Sequence, residues 1–251
     1  MSSTSFSAGR NRSKVLVLAV LLLCAPLRAQ DSARDPDRLY ADREHLQSAM
    51  DAAAVWESRF KTNPKDFESA WKLARTCYWL GGHVAEDARR AQYERGIEAG
   101  RQASVLQSAR PEGYFWMAAN MGAMAESFGL RAGIKYRTPV RKALETVLML
   151  DPGFQQGSAD RALGRWYFKV PGLFGGDDQK SLEHLKRSLT YDPDSAASWS
   201  FMADTLRELG KRDEAKRALQ KVLSAPVSDP EWAPETREFQ RQAAAALQHL
   251  R

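Results

Sequence analysis

The residues of this 251-residue chain with the most chemistry in their side chains are four histidines, two cysteines and one Gly-rich acidic stretch. His45, His83, His184 and His249 are scattered, with no His-Glu-x-x-His pattern and no cysteine partner, so no metal site is expected. The stretch GLFGGDDQKS, Gly172 to Ser181, has the glycines of a phosphate loop. That loop requires glycine directly before Lys-Ser, and Gln179 stands there. Asp177 and Asp178 are adjacent, whereas a catalytic carboxylate pair needs separation and contrasting environments. At a helix start the same pair satisfies free amides and favours the dipole. With no Gly-x-Ser-x-Gly elbow either, the chain reads as a non-enzyme without a cofactor. A hydrolase or transferase using an unrecognised site is the remote alternative.

The composition is ordinary for a globular protein, with 43% hydrophobic and 27% charged residues, which excludes disordered and collagen-like classes. The formal charge of +6 hints at an anionic partner. Arg10, Arg12, Lys14 and Arg28 account for all but +2 of it and lie in residues 1–30, which hold no acid. Nucleic acid is therefore not an expected partner. A basic start, the apolar run Val15 to Leu23 and a polar stretch from Arg28 form the three-part layout of a secretory signal peptide. The run falls short of the roughly 20 apolar residues of a spanning helix, so the mature form is expected to have no transmembrane span. Residues 1–29 read as a signal peptide cut after Ala29 or Gln30, giving an exported, periplasmic protein. Lipidation at Cys24 is the minor alternative, although Leu23 is bulky for the residue before such a cut. Cys77 is then the one cysteine of the folded body and reads as a small buried hydrophobe.

Punctuation along the rest of the chain exposes a repeat. Pro64, Pro111, Pro152, Pro193 and Pro226 each follow a helix-like run, at spacings of 47, 41, 41 and 33. In Ser198 to Pro226, Trp199, Met202, Ala203, Leu206, Leu209, Gly210, Ala215, Leu219 and Val222 alternate large and small at helical spacing. Small Ala203 and Ala215 suit the place where two antiparallel helices approach, and Gly210 suits a left-handed helix end. The register recurs with Asp160, Leu163, Gly164, Tyr167, Ser181, Leu185, Ser188 and Pro193. It is looser with Ala70, Leu73, Ala74, Cys77, Leu80 and Gly81, and with Tyr114, Met117, Ala118 and Met121.

This pattern resembles the tetratricopeptide repeat superfamily over nearly all of the mature chain, most closely in residues 153–226. The resemblance implies an all-α fold of antiparallel helix-hairpin repeats. Ala74 to Ala99 spans 25 residues and Ala118 to Val140 spans 22, so two hairpins must carry long turns or extended helices. Residues 30–39 read as a flexible linker and 40–251 as one repeat domain. Within it, 40–61 forms a truncated first repeat burying Leu46, Met50, Ala53, Trp56 and Phe60, and 227–251 forms a cap. The cap buries Phe239, Ala243, Ala246 and Leu250 and turns Arg237, Arg241 and Gln248 to water. The loop Val170 to Asp178 inside GRWYFKVPGLFGGDDQKSLEHLKRSL, in an exported irregular array, also looks like the T component of tripartite (TRAP) solute transporters. That resemblance implies a scaffold beside a solute-binding protein and an enclosed apolar cavity, with no functional residue carried over.

Seven tryptophans are consistent with stacking on sugars or bases, yet Trp56, Trp166 and Trp199 fall on packing positions and read as core. The remaining surface is a groove lined by the first helix of each repeat. The register puts Glu68, Trp71, Arg75, Tyr78 and Trp79, then Phe115 and Ala119, then Arg161, Arg165 and Phe168, then Asp204 and Arg207 on it. Aromatics between arginines suit an extended peptide or protein partner, and equally a small organic anion. Leu173 and Phe174 in the Gly-rich loop either tuck into the array or project as a contact for a partner or an oligomer.

Overall fold

The computed structural model describes Met1 and residues 35–249. Residues 2–34, with Cys24 and all but Met1 of the stretch read as a signal peptide, and Leu250 and Arg251 lie outside the described residues. Among those described, eleven α-helices follow one another: α1 (Pro36–Ala41), α2 (Leu46–Thr62), α3 (Phe67–His83), α4 (Glu86–Leu106), α5 (Pro111–Ser127), α6 (Gly129–Leu150), α7 (Phe154–Lys169), α8 (Asp178–Tyr191), α9 (Ala196–Glu208), α10 (Arg212–Ser224) and α11 (Ala233–Gln248). One 3-10 turn, Gly172–Phe174, separates α7 from α8. The fold is all-α and tetratricopeptide-like, and Pro36–Arg251 forms one compact unit.

Local sequence explains where the helices begin and end. Asp66 caps α3 by accepting from the Ser69 amide, and Asp177 caps α8 by accepting from the amides of Gln179 and Lys180. The acidic pair of the Gly-rich stretch therefore serves a helix start. Pro111 and Pro234 open α5 and α11, where a missing amide proton costs nothing. Gly210 closes α9 with φ +73°, the left-handed residue its position implied.

The two long spacings are taken up by extended second helices. The 21-residue α4 and the 22-residue α6 each follow their first helix after at most two residues. At the amino end, a helix begins at Pro36, inside the stretch read as linker, because Tyr40 is buried against Arg43 and Arg75. The buried face of α2 includes the expected Ala53 and Trp56, with Leu46 and Phe60 packed against the core, but not Met50. Ala49, Ala52, Ala53 and Trp56 are buried, while Met50 is 38% exposed. Alanines on that face let α3 approach closely, which a methionine would prevent.

Two apolar clusters make up most of the core. One runs from Tyr40 through Trp56, Leu80, Met121 and Leu144 to Leu163 and Trp166, and the other from Leu182 and Leu185 to Val222 and Ala243. They meet at the α7–α8 hairpin. There a Cβ on Gly164 would fall 2.6 Å from Leu185 Cγ, so only glycine admits that leucine. Cys77 is fully buried among these residues, and burial pushes its thiol up to about 12, leaving it a packing residue. Trp56 and Trp166 are core and Trp199 packs half-buried on the second cluster.

Candidate functional site

The first helices α3, α5, α7 and α9 pack in succession on one another, and the second helices make no comparable contacts with their own kind. This places the first helices on the inner side of the curve, as in helical-repeat arrays generally. Arg165 of α7 ties three of them together, donating to Glu126 of α5 at 3.2 and 2.9 Å and to Asp204 of α9 at 2.8 Å. Asp204 also pairs with Arg207 at 3.5 Å. Phe168 lies half-buried beside Arg165, whose guanidinium sits 5.7 Å from its ring centre. Ala119 is half-buried on the same side.

The amino-terminal part of the expected groove is built differently. Trp79 is buried and donates to the Arg43 carbonyl at 2.9 Å, so it belongs to the core. Phe115 is also buried, edge-on to Trp116 and Phe154. Arg75 is buried, stacked 3.9 Å over the Tyr40 ring, and paired with Glu231 at 3.2 Å and Asp37 at 3.7 Å. Glu68 accepts from Trp71 at 3.0 Å and pairs with Arg110 at 3.3 Å. Trp71, half-exposed, keeps one face under Arg75.

The cause of this rearrangement is the end of the chain. Arg43, 1% exposed in its side chain, holds Glu235 through both carboxylate oxygens, at 3.2 and 2.5 Å, and also donates to the carbonyls of Tyr40 and Glu231. Arg237 pairs with Glu44, and His83 with Glu238 at 3.5 Å. Phe239 meanwhile packs edge-on to Phe201 of α9. The cap α11 thus joins the last repeat to the first. No local pattern announces these contacts, and Arg237, read as solvent-facing, takes part in them.

The His83–Glu238 pair makes this closure depend on pH. Burial alone would lower His83, but its bonds to Glu238 and to the Trp79 carbonyl outweigh that and raise it above 6.5. The bond from His83 holds Glu238 below its ordinary 4.5, against the opposing effect of burial. A raised histidine stabilises fully below its unfolded value and loses that contribution as pH rises through its folded value. A lowered carboxylate contributes above its unfolded value and loses it as pH falls through its folded one. The attachment of α11 is therefore strongest between about pH 5 and pH 6.5. Amide hydrogen exchange in α11, corrected for intrinsic rates, is expected to quicken from pH 6.5 to pH 8.5. The His83→Gln variant should show no such change.

Of the expected groove residues Tyr78 of α3 and Arg161 of α7 remain. Tyr78 is 41% exposed and tilted against Trp116 at 5.8 Å, yet burial by the surrounding walls raises its hydroxyl above its ordinary 10. Desolvation likewise lowers Arg161, which is half-buried. In the Gly-rich loop Leu173 projects with 91% of its surface exposed, whereas Phe174 is partly covered by Arg137, 4.9 Å above its ring. Leucine projects and phenylalanine is covered, so the two expectations for that loop divide between its residues. His184, in contrast to a solvated histidine, bonds buried Asp160 at 2.7 Å. Among the described residues no three His, Cys, Asp or Glu side chains cluster as metal ligands, and no helix is long and apolar enough to cross a membrane.

Two family models match more than half of the chain each. The TRAP transporter T-component model covers residues 106–251, and the model for regulator of microtubule dynamics protein 1-3 covers residues 33–173. Neither description names a catalysed reaction. No curated protein matches the sequence. Among solved structures, a thermophilic TPR protein from Thermus thermophilus is 21% identical with a TM-score of 0.63, over 85% of this chain and 97% of that one. A structure of MamA is 17% identical with a TM-score of 0.48, over 80% of this chain and 95% of that one. The likeness to the Thermus protein shows the tetratricopeptide fold.

Proposed function

The chain belongs to the families of the TRAP transporter T-component and of regulator of microtubule dynamics protein 1-3, and on that premise we propose that it is an exported binding scaffold. Its work is to recruit a protein partner through the inner face of its first helices. In the finer form of the proposal that partner is a periplasmic solute-binding protein of a transporter, and residues 1–29 deliver the chain to it. The observation that carries the reading is the inner face around α7. There Phe168, Arg165, Asp204 and Arg207 come from adjacent repeats and are held in place by one bridging arginine. Such a face offers aromatic area and forked donors on a fixed frame, the ingredients of a protein-binding hot spot. The projecting Leu173 of the loop after α7 is a second, apolar contact in this reading.

A second reading, a carrier holding a small apolar or anionic ligand, draws its support from α11. By joining the two ends it brings Glu235 near enough to Tyr78 and Arg161 to act on both charges. Organic extraction of the purified protein separates the two, because a scaffold yields no stoichiometric small molecule.

The scaffold reading predicts that a purified TRAP-type solute-binding protein from the same organism binds with micromolar or tighter affinity in a surface-plasmon titration. Phe168→Ala and Leu173→Ser should each weaken that binding about tenfold, the loss of one interface anchor. Leu173→Ser changes stability by less than about 0.5 kcal/mol, since the side chain touches little else. Equal binding by both variants would remove the assigned face from the proposal.

A further inference from the structure

The long spacing between Ala118 and Val140 is filled in part by the first half of α6, and that half does not serve the core. None of residues 129–139 is buried. The buried face of α6 begins at Val140 and continues through Ala143, Leu144 and Val147. A Cβ added to Gly133, or to Gly129 where the helix starts, would meet nothing within 4 Å. These first turns stand off the array as a ridge. Packing explains why the chain keeps α6 from Val140 onward, and it does not explain the turns before.

The ridge is of one charge. From Gly129 to Leu144 the sequence holds Arg131, Lys135, Arg137, Arg141 and Lys142 and no acid. The acids on either side of this run are already engaged, Glu126 by Arg165 and Lys169, and Glu145 by Arg141 at 3.5 Å. No ion pair among the described residues includes Arg131, Lys135, Arg137 or Lys142.

The ridge also carries apolar side chains without cover. Leu130 and Ile134, one turn apart, are 70% and 50% exposed. Arg131, Lys135 and Lys142 are exposed as well, and helical spacing sets them in a stripe alongside that pair. Two contacts fix the base of the ridge against the rest of the protein. The Arg137 carbonyl accepts from Trp166 Nε1 at 2.8 Å, and the Arg137 guanidinium lies 4.9 Å over the Phe174 ring.

We propose that the first half of α6 docks the protein on the surface of an anionic lipid bilayer. Leu130 and Ile134 enter the boundary between headgroups and acyl chains, and Arg131, Lys135 and Lys142 meet the lipid phosphates. Helices that lie in that boundary combine a face rich in Lys and Arg with a few large apolar residues. The core of a protein interface has the opposite bias, being depleted of lysine, whereas here Lys135 and Lys142 stand on the exposed face itself. The inference goes beyond the scaffold reading. As a second helix, α6 can rest on a membrane while the inner face of the first helices stays open to a protein.

The test is flotation of the mature chain, beginning after Ala29, with vesicles of phosphatidylcholine alone or with about one third phosphatidylglycerol. Binding to the anionic vesicles is expected to be at least tenfold tighter and to fall steeply with added salt. Arg131→Gln combined with Lys135→Gln should weaken it roughly 25-fold, about fivefold for each cation at the surface. Leu130→Ser combined with Ile134→Ser should weaken it about tenfold or more. All four side chains are exposed, so the unfolding midpoints of both variants should match the native one. Lys186→Gln combined with Arg217→Gln removes the same charge from α8 and α10 and should leave binding within about twofold.

Equal binding to the two kinds of vesicle would overturn the proposal. So would a loss in the α8 and α10 variant as large as in the ridge variant, since net charge alone would then be at work. Binding that ignores Leu130→Ser with Ile134→Ser would remove the insertion on which the proposal depends. Polyglutamate is titrated in parallel. If it binds through Arg131 and Lys135 while the vesicles do not, the ridge belongs to an acidic protein and the membrane proposal falls. No solute-binding protein enters the assay, so failure here leaves the scaffold reading standing.

Discussion

Replacing Glu235 with alanine is expected to lower the unfolding free energy by about 3 kcal/mol, within the range for removing one partner of a buried ion pair. The effect comes from what is left behind. Arg43 is sealed under Tyr40, Trp79 and α11, and without Glu235 its charge keeps only backbone carbonyls. Denaturant titration followed by circular dichroism measures the loss. The paired replacement Arg43→Met with Glu235→Leu should cost less than Glu235→Ala alone, because it removes both charges and keeps the volume. A second consequence concerns cooperativity. The two apolar clusters touch at the α7–α8 hairpin and are joined again through α11, so the native chain should unfold in one transition. Glu235→Ala weakens the second link, which keeps the Arg237–Glu44, His83–Glu238 and Arg75–Glu231 pairs, and the transition is then expected to broaden. A midpoint unchanged from the native protein would mean that α11 is not fastened to the first repeat.

Leu185→Ala is expected to cost about 3–4 kcal/mol, in the range found for fully buried leucines whose surroundings relax only in part. Leu185 has no exposed surface and fits against Gly164, where the helices of the hairpin approach most closely. Collapse into the vacated space is limited because α7 is held on its other side by the Arg165 bridges to Glu126 and Asp204. Thermal and denaturant unfolding both report the loss. A cost below about 1 kcal/mol would indicate a hairpin that closes on the cavity, and hence a looser frame behind the inner face.

Those two residues also show what was legible in the sequence. Leu185 and Gly164 fall in the repeat register, as do Ala203, Gly210, Ala215 and Val222, and each performs the role its spacing implied. Helical periodicity encodes neighbours three and four residues away, so it reveals hairpins and their small-residue contacts. It left the long spacings undecided, since a turn or a longer helix would fill them equally well. It misplaced one residue of the α2 face, Met50, because Met50 and Ala49 are both acceptable on an apolar stripe, and only the approach of α3 selects the smaller residue. Arg43 and Glu235 are 192 positions apart, and no periodic signal links them. That same contact explains why Arg75 and Trp79, exposed by repeat register, are enclosed. The register assumes that the inner face of the first repeat is open, and here α1 and the start of α11 cover it.

The central claim is that this repeat protein is exported and works by holding another protein, as proposed above. It is tested most directly by native mass spectrometry of the mature chain, purified gently from the exported fraction of its own host. The account predicts a complex mass with a second polypeptide identifiable as a solute-binding protein, and a scaffold mass that starts after Ala29 or Gln30. A bare, full-length or unassociated chain at tens of micromolar would contradict it.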